Sequence, residues 1–315
     1  MNWKLKATII NTISHFPTSI SYASYYWIQR NFGNLKRVNP ISGLNYGIKT
    51  WKLIKECGYD PIGKVFFEVG TGRVPIAPIS YWLMGAKHCI TIDLNPYLKI
   101  ELIRESLKYI SDNKEEIHEL FGSLMFENRL DSLLSFYRSA PPSLDTFLNF
   151  CQIDYIAPGD ATKTKLNNQI IDFHTSHSVF EHIPPEVLIQ IINEGNRIIN
   201  DHGLFLHRIC YSDHFSHSDN TITPINFLQF SEIEWRKYTG NRYMFMNRLR
   251  HDDFINMFQS TGHSILTTKL DIDSQLIEIL RKGTIQLNKQ FKTKSEEVLS
   301  ITSAWIVSQK ITNQS

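Results

Sequence analysis

Three acidic residues, each just after an apolar run, are the first places in this chain where chemistry could be done. Glu68, Gly70, Thr71 and Gly72 lie in "VFFEVGTGRVP", residues 65–75, where the run ends in a carboxylate and then turns on glycine. Glycines between a strand and a helix let backbone approach a ligand closely and aim amide groups at it. A dinucleotide fingerprint would need a third glycine where Pro75 stands. A tight turn without a ligand is the plainer alternative. Asp93 ends "CITIDLN", where a carboxylate can accept both ribose hydroxyls of an adenosine or simply cap a helix. Asp160 and Ala161 close "APGDA". There a carboxylate and an amide suit an adenine edge, and a Pro-Gly-Asp turn built for local reasons fits equally.

Proton transfer has its own candidates. His177 lies in "IIDFHTSHSVFEHI", and Asp213, His214, His217 and Asp219 lie in "RICYSDHFSHSDN". A histidine within hydrogen-bond reach of a hydroxyl can take its proton, and an aspartate beside it raises its basicity. Imidazole and carboxylate also suit a divalent metal. Loop spacing favours a solvated polar turn, so no metal is expected. His182 reads as an anchor for the helix begun by Pro184 and Pro185, and His207 as a packed strand residue.

These residues need rigid elements behind them. The first sixty residues are helical in pattern, a cap or lid over the domain that follows. From residue 61, "KVFFEV", "HCITIDLN", "IDYIAPGD", "QIIDFHTSHSV" and "GLFLHRICYS" read as strands alternating with helices. "HSILTTKLDI" and "SITSAWIVSQK" add two more near the C-terminus. Alternation implies a mostly parallel sheet with helices on both faces, and such sheets bind ligands beyond the carboxyl ends of their strands. A helical insertion at about 113–150 and an aromatic one at about 213–249 interrupt residues 61–315. In the second, Phe215, Phe227, Phe230, Trp235, Tyr238 and Tyr243 line either an acceptor pocket or an aromatic core, with Arg236, Arg242 and Arg248 as donors.

Bulk properties exclude more than they select. Lys and Arg number 33 against 31 Asp and Glu, so there is no basic excess to bind nucleic acid. Four scattered cysteines form no disulfide or metal framework, which with the lack of a secretory signal or membrane span makes cytoplasmic the expected location. The N-terminal "MNWKLKATIINTISHF" can be read as an amphipathic helix in peripheral contact with a membrane, or more simply as one packed on the domain. Oligomeric state is not legible.

Taken in order, "FEVGTG", "TIDLN", "GDA" and "SHSVFEHIPPE" resemble the class I S-adenosylmethionine-dependent methyltransferases over roughly residues 60–210. The resemblance implies a Rossmann-like sheet with one antiparallel strand near the C-terminus. It also implies S-adenosylmethionine as cofactor, with Glu68, Gly70, Thr71 and Gly72 holding the methionine part. Asp93 would take the ribose, Leu94 would pack near adenine, and Asp160 with Ala161 would bind its edge. Ser176 and His177 would pass the sulfonium. Val74 departs from the pattern, standing where many members have a third glycine. More loosely, "SDHFSHSD", "NFLQFSE" and "NRLR" resemble bacterial polysaccharide-associated methyltransferases of the type 11 group. The expectation is therefore O-methylation of a sugar, glycan or other small hydroxylated acceptor, with His177 or His214, the latter helped by Asp213, as base. The alternatives are an NAD(P)-dependent reductase or epimerase, against which the missing Tyr-x-x-x-Lys counts, and a non-catalytic methyltransferase-like binding protein.

Overall fold

In the computed structural model of the chain, residues 1–139 and 143–311 are described. Residues 140–142, inside the expected first insertion, and 312–315 lie outside the described residues. The apolar runs become strands β1 (Val65–Val69), β2 (His88–Ile92), β3 (Ile153–Ile156), β4 (Ile171–His177), β5 (Ile199–Cys210), β6 (His263–Ile272) and β7 (Ile301–Lys310). They form one sheet in the order β3-β2-β1-β4-β5-β7-β6. It is mostly parallel, with the antiparallel pairing near the C-terminus. Parallel pairing sets Glu68 of β1 beside Thr91 of β2 and Thr175 of β4, so these carboxyl ends lie level.

The helices are α1 (Trp3–Ser14), α2 (Thr18–Phe32), α3 (Ile41–Glu56), α4 (Ile76–Leu83), α5 (Ile100–Asp112), α6 (Lys114–Phe121), α7 (Glu127–Ser139), α8 (Leu144–Phe150), α9 (Pro185–Ile198), α10 (Glu232–Thr239), α11 (His251–Ser260), α12 (Ser274–Arg281) and α13 (Glu296–Ser300). Pro75 is the N-cap of α4 and Pro78 lies in its first turn, where a missing N–H removes no helical bond. The helix begun at the Pro184-Pro185 pair ends at Ile198, where β5 takes over at Ile199. The aromatic insertion is less irregular than its sequence suggests. Ser231 and Glu234 form a reciprocal capping box that starts α10 inside it.

The chain divides into two compact units. The first, here the β1 unit, comprises Arg37–His177, Gln190–Leu206 and the chain from Val307 on. The second, the β6 unit, comprises Met1–Lys36, Ser178–Ile189 and His207–Ile306. In the β1 unit Phe66 stacks on Tyr81 at 4.3 Å and tilts against Phe173 at 5.0 Å. There α3 meets α4 through two glycines. A Cβ on Gly47 would lie 1.6 Å from Ser80 Oγ, and one on Gly43 would lie 2.0 Å from Ile76 Cγ2. In the β6 unit Trp3, Ala7 and Ile10 of α1 pack into a core with Phe215, Phe227 and Trp235. Each such large side chain contributes about 1.5–3 kcal/mol on burial. The insertion's aromatics are thus core, and Phe230, Tyr238 and Tyr243 pack against it partly buried.

Candidate functional site

The β1 unit gathers the loops after three neighbouring strands. Gly70 and Gly72 both take left-handed φ, 85° and 69°, a conformation costly to any residue with a Cβ. This turns the Gly72 N–H to donate to Asp93 Oδ2 at 2.9 Å, while Asn95 N–H donates to Asp93 Oδ1 at 3.2 Å. Gly159 N–H donates to the Asp93 carbonyl at 2.9 Å, which ties the third loop to the second. Burial raises the Asp93 pKa, against the pull of those amides. Above Gly72 the space is open, since a Cβ there would meet nothing within 4 Å.

Beneath this loop lies a buried polar chain. Glu68 Oε1 is 3.1 Å from His177 Nδ1, and His177 Nε2 is 3.0 Å from Thr50 Oγ1 and 3.4 Å from Tyr81 OH. Burial pushes the Glu68 carboxyl above its usual range, with His177 and then the Thr91 hydroxyl pulling it back. Its second oxygen has no partner within hydrogen-bond geometry among the described residues. Both ring nitrogens of His177 thus face protein groups. Thr71 pairs its hydroxyl with that of Thr91 at 2.5 Å, and Ser176 is buried on β4. Leu94 is 72% exposed. Asp160, exposed, accepts from the Thr162 N–H and hydroxyl at 2.9 and 2.7 Å, and Ala161 is half-buried beside it.

The remaining expected residues belong to the β6 unit. Asp213 is fully buried, but it does not orient His214. Its carboxylate accepts from the Phe215 N–H at 2.9 Å and from Asn226 Nδ2 at 2.9 Å, and burial raises its pKa to about 6. The expected Asp-His pair is absent because a turn and an asparagine already occupy the carboxylate. His214 instead meets other rings, His182 at 4.8 Å and His217 at 5.1 Å. Burial, then the neighbouring imidazoles, push its pKa down to about 3, which keeps the ring neutral. His182 donates through Nδ1 to the Phe245 carbonyl at 2.7 Å, the anchoring expected of it. His207 is buried with its ring stacked on Phe180 at 4.2 Å.

Sequence reasoning passed over Glu181, the residue before that anchor. It is 2% exposed, and neither carboxylate oxygen has a hydrogen-bond partner among the described residues. Burial raises its pKa to about 8, against weaker pulls from its own backbone amide, Arg208 and the Cys210 backbone amide, none of them a well-formed hydrogen bond to the carboxylate. Only an acid between Phe180 and His182 at a strand exit hinted at it.

No family model matches the chain, and no curated protein matches it. Solved structures with a related backbone include methyltransferases of low identity. One is the geranyl diphosphate C-methyltransferase of Streptomyces coelicolor A3(2), in complex with Mg2+, geranyl diphosphate and S-adenosyl-L-homocysteine. It is 9% identical over 84% of this chain and 78% of that one, with a TM-score of 0.44. Another is an S-adenosylmethionine-dependent methyltransferase from Methanosarcina mazei, 12% identical over 82% of this chain and 97% of that one, TM-score 0.44. A third, from Mesorhizobium loti, is 10% identical over 82% and 97%, TM-score 0.42. Likeness at this level carries nothing about what this chain binds. The sheet itself is of the Rossmann-like kind. Among the described residues no helix is long and apolar enough to cross a membrane.

Proposed function

We propose that the chain is an S-adenosylmethionine-dependent methyltransferase acting on a hydroxyl of a small acceptor. The observation that carries this reading is the left-handed Gly70–Gly72 turn bonded to the Asp93 carboxylate, at the level carboxyl ends of β1 and β2. Two features fit such a donor. The second Glu68 oxygen has no well-formed hydrogen bond among the described residues, a bond an ammonium group would supply, and the space over Gly72 is open. When bound, the cofactor supplies an activated methyl group on a sulfonium. Glu68, Gly70, Thr71 and Gly72 are assigned to its amino-acid part, Asp93 to its ribose, and Leu94, Asp160 and Ala161 to its base, with Ser176 near the sulfonium.

An activated donor leaves the protein to align the acceptor and remove its proton. His177 is a poor sink, since Glu68 and Thr50 already bond both its ring nitrogens. The acceptor's proton is assigned instead to the histidine cluster around His214. Its neutral ring is held by no hydrogen bond among the described residues. Glu181 and His182 follow β4 in the chain, and His214 follows β5. A sugar or glycan as acceptor rests on sequence resemblance alone.

Calorimetry on the full chain with S-adenosylhomocysteine and with NAD tests the donor. Homocysteine-ligand binding that weakens at least about tenfold in Asp93→Ala is expected, with no NAD binding. NAD binding in its place, or a Kd for S-adenosylhomocysteine indifferent to Asp93→Ala, would overturn the reading.

A further inference from the structure

The geometry points to a binding site for a divalent first-row transition-metal ion in the β6 unit, ligated by Glu181, His182 and His214. One donor atom from each lies within 4.8 Å of the others. Two imidazoles and a carboxylate are a donor set that suits zinc, iron or manganese better than magnesium or calcium, which prefer oxygen alone. This inference does not depend on the methyl-donor reading.

Each ligand is prepared differently. His182 gives its Nδ1 proton to the Phe245 carbonyl, so Nε2 carries the lone pair a metal needs. A backbone carbonyl on the far nitrogen is a common way to orient a metal-binding ring. Glu181 is the independent observation. A carboxylate 2% exposed, with no well-formed hydrogen bond to either oxygen among the described residues and only weak pulls from its own and the Cys210 backbone amides, is costly to leave so. Arg208 lies near enough to act on it electrostatically, and its guanidinium donates a hydrogen bond to Ser178 Oγ. A cation between the carboxylate and the two rings would satisfy it.

The turn carrying two of the ligands is firmly held. Asn247 donates its backbone N–H to the Glu181 carbonyl at 2.9 Å, and its side-chain amide to the Phe180 and Ile183 carbonyls at 2.8 and 2.9 Å. Ser178, at the start of the turn, sits at φ 56° and is held by its N–H to the Arg208 carbonyl at 2.9 Å. Strained backbone persists where surrounding bonds over-determine it, often at functional sites. His214 is the adjustable ligand, with no hydrogen bond to its ring among the described residues. Around an ion at about 2.0–2.2 Å the donor atoms stand about 3–3.5 Å apart. From 4.8 Å that is a closure of about 1.3–1.8 Å, to which rotation of the His214 ring can contribute. Three protein ligands leave a position open, where an ion would acidify a bound water or hydroxyl.

The full chain, stripped with EDTA and dialysed, is titrated with Zn2+ by calorimetry and with Co2+ by visible absorption. One equivalent of each is expected, with cobalt bands of a nitrogen- and oxygen-ligated site. His214→Ala and Glu181→Gln should each weaken Zn2+ at least about tenfold, while exposed His217→Ala stays within about threefold. His214→Ala keeps the test open if Glu181→Gln fails to fold, with circular dichroism checking both. Absence of zinc uptake, or uptake unchanged in a folded His214→Ala, overturns the site. S-adenosylhomocysteine titrated into the same stripped protein reports on the donor reading separately, so either can fail while the other stands.

Discussion

Gly72→Ala separates a ligand loop from a merely tight turn. The wild-type backbone at this position has φ 69°, and a Cβ would meet nothing within 4 Å. Alanine therefore clashes with no protein atom, and its effect on stability is the left-handed strain alone, about 1–2 kcal/mol. In a chain of this size that lowers Tm by roughly 2–6 °C. If the open space is where a donor lies, the same methyl group also invades the ligand's contact surface. Overpacking of that kind costs about 1–3 kcal/mol, which weakens S-adenosylhomocysteine roughly 5- to 150-fold. The control is Gly58→Ala, at φ 87° and equally uncrowded, where α3 ends. Differential scanning fluorimetry should give the two variants similar Tm losses, and calorimetry should show weakened binding in Gly72→Ala alone. Equal affinity in both variants would refute the reasoning, because the space over Gly72 would then not be a ligand's.

Three more outcomes follow from bonds and contacts on the two units. Gly47→Ala should destabilise by about 1–3 kcal/mol in urea titration, and Ser80→Gly should restore most of it, since Ser80 Oγ is the atom a Cβ would strike. Arg250→Lys should cost about 2–4 kcal/mol in the same assay. The buried guanidinium donates to the carbonyls of Tyr211 at 2.6 Å, Leu299 at 2.9 Å and Ile301 at 2.6 Å, and an ammonium cannot reproduce that fork. Glu194 is held down to about pKa 2, first by Arg197 and then by Thr164. Its folded pKa lies below the unfolded one, so its contribution is full above about pH 4.5 and disappears as pH falls through about 2. Glu194→Gln should thus lower stability by about 1–2 kcal/mol at pH 7, discounted for partial exposure. A Tm profile should show wild type and variant converging at pH 2.

The parallel sheet and the turns at its carboxyl ends were legible because both write themselves locally. An apolar run with a polar stop marks where each strand ends, and Gly70, Gly72, Asp93 and Asp160 all stand at such stops. The fate of the aromatic insertion was not legible. Its partners Trp3, Ala7 and Ile10 are some two hundred residues away, and nothing in "NFLQFSEIEW" tells a ring that lines a pocket from one that fills a core. α10 was missed for a smaller reason, since its signal is a capping box of two residues rather than an apolar stripe.

The site residues show where residue type stops being informative. Asp213 and Glu181 are both acids near a strand exit, both deeply buried, both with raised pKa values. By sequence Asp213 was the better catalytic candidate, being adjacent to His214 with a second histidine beyond. In the folded chain its oxygens are taken by Phe215 N–H and Asn226, so it shapes a turn. Glu181 has the opposite condition, a carboxylate with no well-formed hydrogen bond to either oxygen among the described residues, beside a ring whose far nitrogen is pinned. His177 and His214 divide the same way, one bonded at both nitrogens and one at neither. A side chain whose hydrogen bonds are complete mostly maintains structure, and one left incomplete in a buried place is available to a ligand. That property depends on contacts across the chain. It moves the expected chemistry of the β6 unit from Asp213 and His214 to Glu181, His182 and His214.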